Sequence, residues 1–131
     1  MILIDSSIYI GWLRQKRSPA LLLESHARTG EVATCGIVRA EVLRGISDPA
    51  AKNDLSGFFD LLPEIPTTSA VWHSAAELAW ELDRKGIVLP LPDLVVAACA
   101  LSMEATVITM ATHFAKIPKL KIRREVESRM T

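Results

Sequence analysis

Short apolar runs alternate with longer amphipathic segments from one end of the chain to the other. The run Ile2-Leu3-Ile4 predicts a strand, and residues 6–15 a helix. Residues 18–28 predict another helix, with Ser18 as N-cap, Pro19 at the first helical position and Gly30 as the stop. A short strand is expected at 31–34. Residues 37–47 read as helical, which places Ile37, Ala40, Glu41 and Arg44 on a common side by i, i+3, i+4 spacing. Asp48-Pro49 breaks that helix and opens the next, up to about Leu62, and 64–66 follow as a third short strand. Residues 69–85 carry the clearest apolar stripe, Val71, Ala75, Leu78, Ala79 and Leu82, ended by Gly86. Residues 92–104 form a helix so apolar at its start that it must be buried. A strand at 106–109, a short helical turn at 113–116 and a last strand at 120–122 complete the pattern. The charged tail from Arg123 is expected to be mobile.

Strands separated by helices imply a parallel sheet covered on both faces, an α/β/α arrangement in three layers with four to five strands. Residues 1–131 read as one domain, long enough to bury a substantial core and free of repeats or linkers. In such folds ligands sit beyond the carboxyl ends of the strands, near the point where strand order reverses.

Half of the residues are hydrophobic and the mean hydropathy is positive, which argues against disorder. The 15 basic and 15 acidic residues cancel, so nucleic-acid binding would need a local basic patch. No apolar run approaches the roughly 20 residues of a membrane span. The N-terminus lacks a basic n-region, so no signal peptide is expected and a cytoplasmic location is. Cys35 and Cys99 stand in apolar surroundings without a CxxC or Cys/His cluster, and are expected to be buried free thiols.

Against this apolar background three acids stand out. Asp5 ends the opening apolar run, Glu41 lies inside Ile37-Val38-Arg39-Ala40-Glu41-Val42-Leu43, and Asp93 follows Leu89-Pro90-Leu91-Pro92. Carboxylates are rarely buried unless paired or bound to a cation. One divalent metal is the simplest shared partner, and hard cations such as Mg²⁺ or Mn²⁺ take oxygen ligands. Asp5 and Asp93 each have an equal claim as helix caps or first-turn charges. Glu41 is harder to assign that way, although an ion pair with Arg39 or Arg44 would also account for it.

The chain resembles PIN-domain ribonucleases, particularly the VapC-type toxins of bacterial type II toxin–antitoxin pairs. The matching segments are Met1-Ile2-Leu3-Ile4-Asp5-Ser6-Ser7, Ala40-Glu41-Val42-Leu43-Arg44-Gly45, Leu91-Pro92-Asp93-Leu94-Val95-Val96-Ala97-Ala98, and Val107-Ile108-Thr109 with His113-Phe114 and Ile117-Pro118. Each is weak alone, but they occur in family order and cover nearly the whole chain. The resemblance implies a PIN-like fold and an endoribonuclease site of Asp5, Glu41 and Asp93, holding Mg²⁺ with Mn²⁺ able to substitute. It implies hydrolysis of RNA to a 5′-phosphate and a 3′-hydroxyl, with transfer or ribosomal RNA among the candidate substrates. A cognate antitoxin and a homodimer are the partners it implies. Ser6, Thr109 and His113 are candidates to orient the acids, with local backbone capping the competing role for the first two. Arg39 and Arg44 are candidates to contact RNA or antitoxin. Trp12, Leu13 and the run Leu21-Leu22-Leu23 offer either a groove for a partner helix or plain core.

One position departs from the family pattern. Similar toxins often carry a fourth acid where this chain has Ala111, and alanine cannot ligate a metal. That keeps a rival open: a weakened or inactive PIN-like module that binds RNA or an antitoxin without efficient cleavage. A receiver-like phosphoacceptor domain fits less well, because Asp5 is followed by Ser6-Ser7 rather than an acid, and Thr109 by Met110-Ala111-Thr112 rather than a lysine.

Overall fold

A computed structural model describes residues 1–126. The elements run β1 (Ile2–Ile4), α1 (Ser6–Arg14), α2 (Pro19–Leu22), α3 (Glu24–Arg28), β2 (Val32–Ala33), α4 (Gly36–Arg44), α5 (Pro49–Asp60), α6 (Ser69–Arg84), α7 (Leu91–Ser102), β3 (Thr106–Ile108), a 3₁₀ turn (Thr112–Lys116) and β4 (Lys121–Arg123). The strands form one parallel sheet in the order β2-β1-β3-β4, with Ile2 opposite both Val32 and Thr106. Seven helices and four strands among the described residues make the three-layer α/β/α fold expected from the pattern.

β1 and β3 are the interior strands, and β1 is the most apolar of the four. Leu3 and Ile4 are wholly buried, as are Val32 and Ala33 beside them and Val107 on the other side. β4, by contrast, is an exposed edge carrying Lys121 and Arg123, charges that discourage edge-to-edge pairing. α7 is enclosed from Leu94 through Ala100, so its apolar start buries it. α6 packs along it through Val71, Ala75 and Leu82. α1, α4 and α5 pack together around Tyr9, whose ring meets Phe59 edge-on at 5.1 Å between centroids. Proline at the first turn and a side-chain cap start α2, α5 and α6 where the sequence places them: Ser18 accepts from Leu21 N–H, Asp48 from Ala51 N–H and Thr68 from Val71 N–H, the proline being absent only from α6.

Three expectations change. The single helix at 18–28 is two short helices, broken at Leu23, where the backbone leaves helical geometry and the side chain is fully buried. The turn sends Leu23 and His26 inward and leaves Leu21 outside. The third strand at 64–66 reduces to one parallel bridge between Thr34 and Glu64, since Pro63 and Pro66 on either side lack the N–H groups a ladder needs. The tail expected to be mobile begins inside β4, and its residues 127–131 lie outside the described residues. Cys35 and Cys99 are both buried and free. No helix among the described residues is long and apolar enough to cross a membrane.

Candidate active site

The chain leaves β1 for β2 on one side and reaches β3 on the other, so the strand order reverses between the carboxyl ends of β1 and β3. Asp5 directly follows β1 at that point, and Thr109 directly follows β3. α4 starts from the carboxyl end of β2 and carries Glu41. α7 runs back toward the amino end of β3, so its first turn, with Asp93, lies at the same edge. Parallel topology therefore draws acids 36 and 52 positions apart in sequence into one neighbourhood (41 − 5 and 93 − 41).

Each acid has its own short side-chain partner. Asp5 is 2 % exposed, and its Oδ2 accepts from Ser7 Oγ at 2.8 Å and Thr109 Oγ1 at 2.9 Å. Ser6 Oγ donates to Glu41 Oε1 at 3.3 Å. His113 Nε2 is in direct hydrogen-bonding contact with Asp93 Oδ2. Asp5 does occupy the N-cap position of α1, but its side chain makes no capping hydrogen bond. Thr109 does both jobs weighed for it, since its Oγ1 also accepts from Ala111 N–H at 3.0 Å.

Ser7 was not singled out from the sequence, yet it binds the buried acid most closely. Its Oγ also lies 3.4 Å from Thr109 Oγ1 and accepts from Met110 N–H at 3.2 Å. The available signal was its place in the first helical turn after Asp5. Adjacent helical side chains diverge by about 100°, so Ser6 and Ser7 serve different acids.

The carboxylates feel one another. Burial pushes the Glu41 carboxyl above its ordinary value, and the Asp5 charge adds to that; the Ser6 hydrogen bond opposes it, Asp93 adds a smaller push and Arg44 a smaller pull. Burial likewise raises Asp93, the His113 hydrogen bond opposes this, and Asp5 raises it further. Of the two flanking arginines only Arg44 acts on Glu41. Arg39 turns away to Asp60 at 2.7 Å and Glu64 at 3.8 Å, its guanidinium 5.6 Å from the Phe59 ring centre. An Arg39–Glu41 ion pair is therefore not what holds Glu41.

These shifts fix a sign. A carboxyl raised in the folded state adds stability that is complete below its unfolded pKa, 4.5 for Glu41 and 3.8 for Asp93, and lost as pH rises through the folded value. In chelator, the melting temperature of the wild type should therefore fall more between about pH 5 and pH 8 than that of Glu41→Gln. Equal slopes in thermal melts of the two proteins would show that Glu41 carries no such strain.

The donor set suits a hard cation. Asp5 Oδ1 is a buried carboxylate oxygen with no hydrogen-bond partner, an arrangement costly unless a cation meets it. Among the described residues no group of three His, Cys, Asp or Glu side chains is arranged to hold a metal ion. Mg²⁺ does not require one, since one or two carboxylates commonly bind it with water and substrate phosphate. Ala111 stands at the N-cap of the 3₁₀ turn beside this site and brings only a methyl group to it.

A PIN domain profile matches residues 2–120. Ribonuclease VapC2 of Rickettsia felis (strain ATCC VR-1525 / URRWXCal2) is 31% identical over 103 residues, covering 75% of this chain and 77% of that protein. The crystal structure of VapBC2 from Rickettsia felis, bound to a DNA fragment from its promoter, aligns with a TM-score of 0.78 at 25% identity, over 94% of this chain and 98% of that one. DNA-bound VapBC from Salmonella typhimurium has a TM-score of 0.78 at 20% identity, over 93% of this chain and 96% of that one, a likeness of fold. With the match spanning all three acids and the elements that carry them, the chain belongs to the PIN-domain family.

Proposed function

We propose that this protein is a divalent-metal-dependent endoribonuclease, using Mg²⁺ or Mn²⁺, and that it acts in the cytoplasm as the toxin of a toxin–antitoxin pair. The observation that carries the reading is the buried Asp5, one oxygen fixed by Ser7 and Thr109 and the other without a partner, beside two carboxylates with raised pKa. The likeness to a ribonuclease VapC and to VapBC complexes supports it.

Asp5, Glu41 and Asp93 would hold the ion. When bound, the ion lowers the pKa of a coordinated water and neutralises charge on the phosphoryl oxygens. Ser7 and Thr109 fix the rotamer of Asp5, and Ser6 steadies Glu41. Asp93 Oδ2, steadied by His113, is the proton acceptor for the attacking water, a role its raised pKa suits. Arg44, exposed at the end of α4, is placed to meet the RNA backbone or an acidic antitoxin segment. Arg39, bound to Asp60 and Glu64, braces α4 against α5 instead. A cognate antitoxin and a second copy of the chain are the protein partners. The exposed Trp72 and Trp80 on α6 give such a copy an apolar face.

A second reading has one observation behind it. Ala111 leaves the site one acid short of the usual family set, so the protein would bind RNA or antitoxin and cleave weakly or not at all.

Partner-free protein incubated with structured RNA should cleave it in Mg²⁺ or Mn²⁺ and not in chelator. At about 100 times its dissociation constant the metal should stabilise the fold by about 2.7 kcal/mol, visible as a higher melting temperature. Stabilisation without cleavage would favour the weakened module. Neither effect would remove the metal site.

A further inference from the structure

A groove of about 740 Å³ opens beside Asp5, between α1, the α2–α3 corner and the segment after β4. Ser7, the residue that fixes Asp5, stands in its wall, so the groove is continuous with the candidate site. Its lining combines Trp12, His26, Arg17, Arg124 and Met110. His26 is 5 % exposed, unusual for a polar ring. Its Nδ1 lies 3.5 Å from Ser25 Oγ, and the ring stands in the groove wall. An imidazole in a groove wall, able to donate or accept through Nε2, is suited to the edge of a planar, hydrogen-bonding ligand. Trp12 supplies a half-buried aromatic surface, held edge-on by Tyr9 at 5.9 Å. Arg17 and Arg124 give the groove two exposed cations against one acid, Glu125, in a chain of zero net charge.

We propose that this groove is a nucleotide subsite, seating one unpaired base of the RNA strand next to the scissile phosphate. His26 Nε2 meets the base edge, Trp12 the base face, and Arg17 and Arg124 the flanking phosphates. Stacking surfaces and backbone cations are the means by which single strands are held. RNA is favoured over a protein helix because two arginines outweigh the one acid of the lining, Glu125, because His26 and Trp12 offer a hydrogen-bonding edge beside an aromatic face, and because the groove abuts the acids. The proposal rests on the nuclease reading for its substrate, but its test does not depend on cleavage.

A fluorescently labelled single-stranded RNA of about ten nucleotides would be titrated by anisotropy in chelator. Wild type, Trp12→Ala, His26→Gln, Arg124→Ala and the distant control Lys52→Ala would be compared, with melting temperatures recorded. Trp12→Ala should weaken binding by roughly 5- to 100-fold. His26→Gln and Arg124→Ala should each weaken it several-fold, and Lys52→Ala should not. Arg124 is exposed, so its variant remains informative if substitution at Trp12 or His26 unfolds the chain. Unchanged RNA affinity in folded Arg124→Ala and His26→Gln proteins overturns the proposal. So does loss of antitoxin binding in these variants with RNA affinity intact, which would make the groove a protein seat. Groove-dependent binding without cleavage in metal would leave the subsite standing and remove the nuclease reading. Cleavage that ignores every groove substitution would do the reverse.

Discussion

Asp5→Asn should reduce metal-dependent RNA cleavage by at least about 100-fold, the scale on which loss of one preorganised electrostatic group acts, and leave the melting temperature in chelator equal or higher. The substitution is nearly isosteric, and the amide oxygen can still accept from Ser7 Oγ and Thr109 Oγ1. What disappears is the negative charge. With it goes the repulsion that raises Glu41 and Asp93, while the unpartnered charged oxygen is exchanged for a neutral amide nitrogen, which is less costly to bury. Replacing a charge that is buried without compensation is often neutral or stabilising. Activity and stability should therefore move in opposite directions, which separates a functional acid from a structural one. Two measurements on one preparation decide it: cleavage of a structured RNA in Mn²⁺ and thermal unfolding in chelator. A variant that melts well below wild type would identify Asp5 as a structural anchor. One that still cuts would place the chemistry elsewhere.

Phe114→Ala should cost about 3–5 kcal/mol of stability and lower the melting temperature by about 10–25 °C. Phe114 is fully buried at the centre of the 3₁₀ turn, and its ring stacks on His113 at 5.6 Å. A 3₁₀ turn of five residues has little stability of its own. The buried ring anchors it and so sets the position from which His113 reaches Asp93. The loss should appear in calorimetry. At a temperature where the variant remains folded, cleavage should also decline, because Asp93 loses the neighbour that orients it. His113→Ala should lower cleavage with a far smaller change in melting temperature, since His113 is half-exposed. If both variants lose the same stability, the turn is held by the His113–Asp93 contact rather than by the buried ring.

Most of the architecture was legible along the chain because its signals are local. Alternation of short apolar runs with amphipathic segments sufficed for the parallel sheet. Ser18, Asp48 and Thr68 mark helix starts by their own chemistry, and Gly86 marks a stop at a positive φ of 78°. Asp5, Glu41 and Asp93 were conspicuous because a charge in an apolar run is costly wherever the chain later goes.

The failures were those of local reasoning. The strand at 64–66 keeps only its bridge to Thr34, because prolines at 63 and 66 remove the N–H groups that pairing with a distant segment needs. The helix at 18–28 breaks at Leu23 because burying Leu23 and His26 against other elements outweighs continuing one helix. Arg39 and Arg44 look equivalent beside Glu41 in sequence. Only the position of α5 gives Arg39 to Asp60 and leaves Arg44 to Glu41.

The sequence by itself determined the elements, their alternation and which residues would be expensive to bury. Those properties belong to single residues and their near neighbours, through propensity, periodicity and desolvation cost. The tertiary structure alone decided what each acid meets. It gave Asp5 to Thr109, Glu41 to Ser6, and Asp93 to His113. It also decided that one oxygen of Asp5 has no partner and that a groove opens beside it. Contacts across 20 to 104 positions are fixed by strand order and helix packing, and no property of the individual residues encodes them.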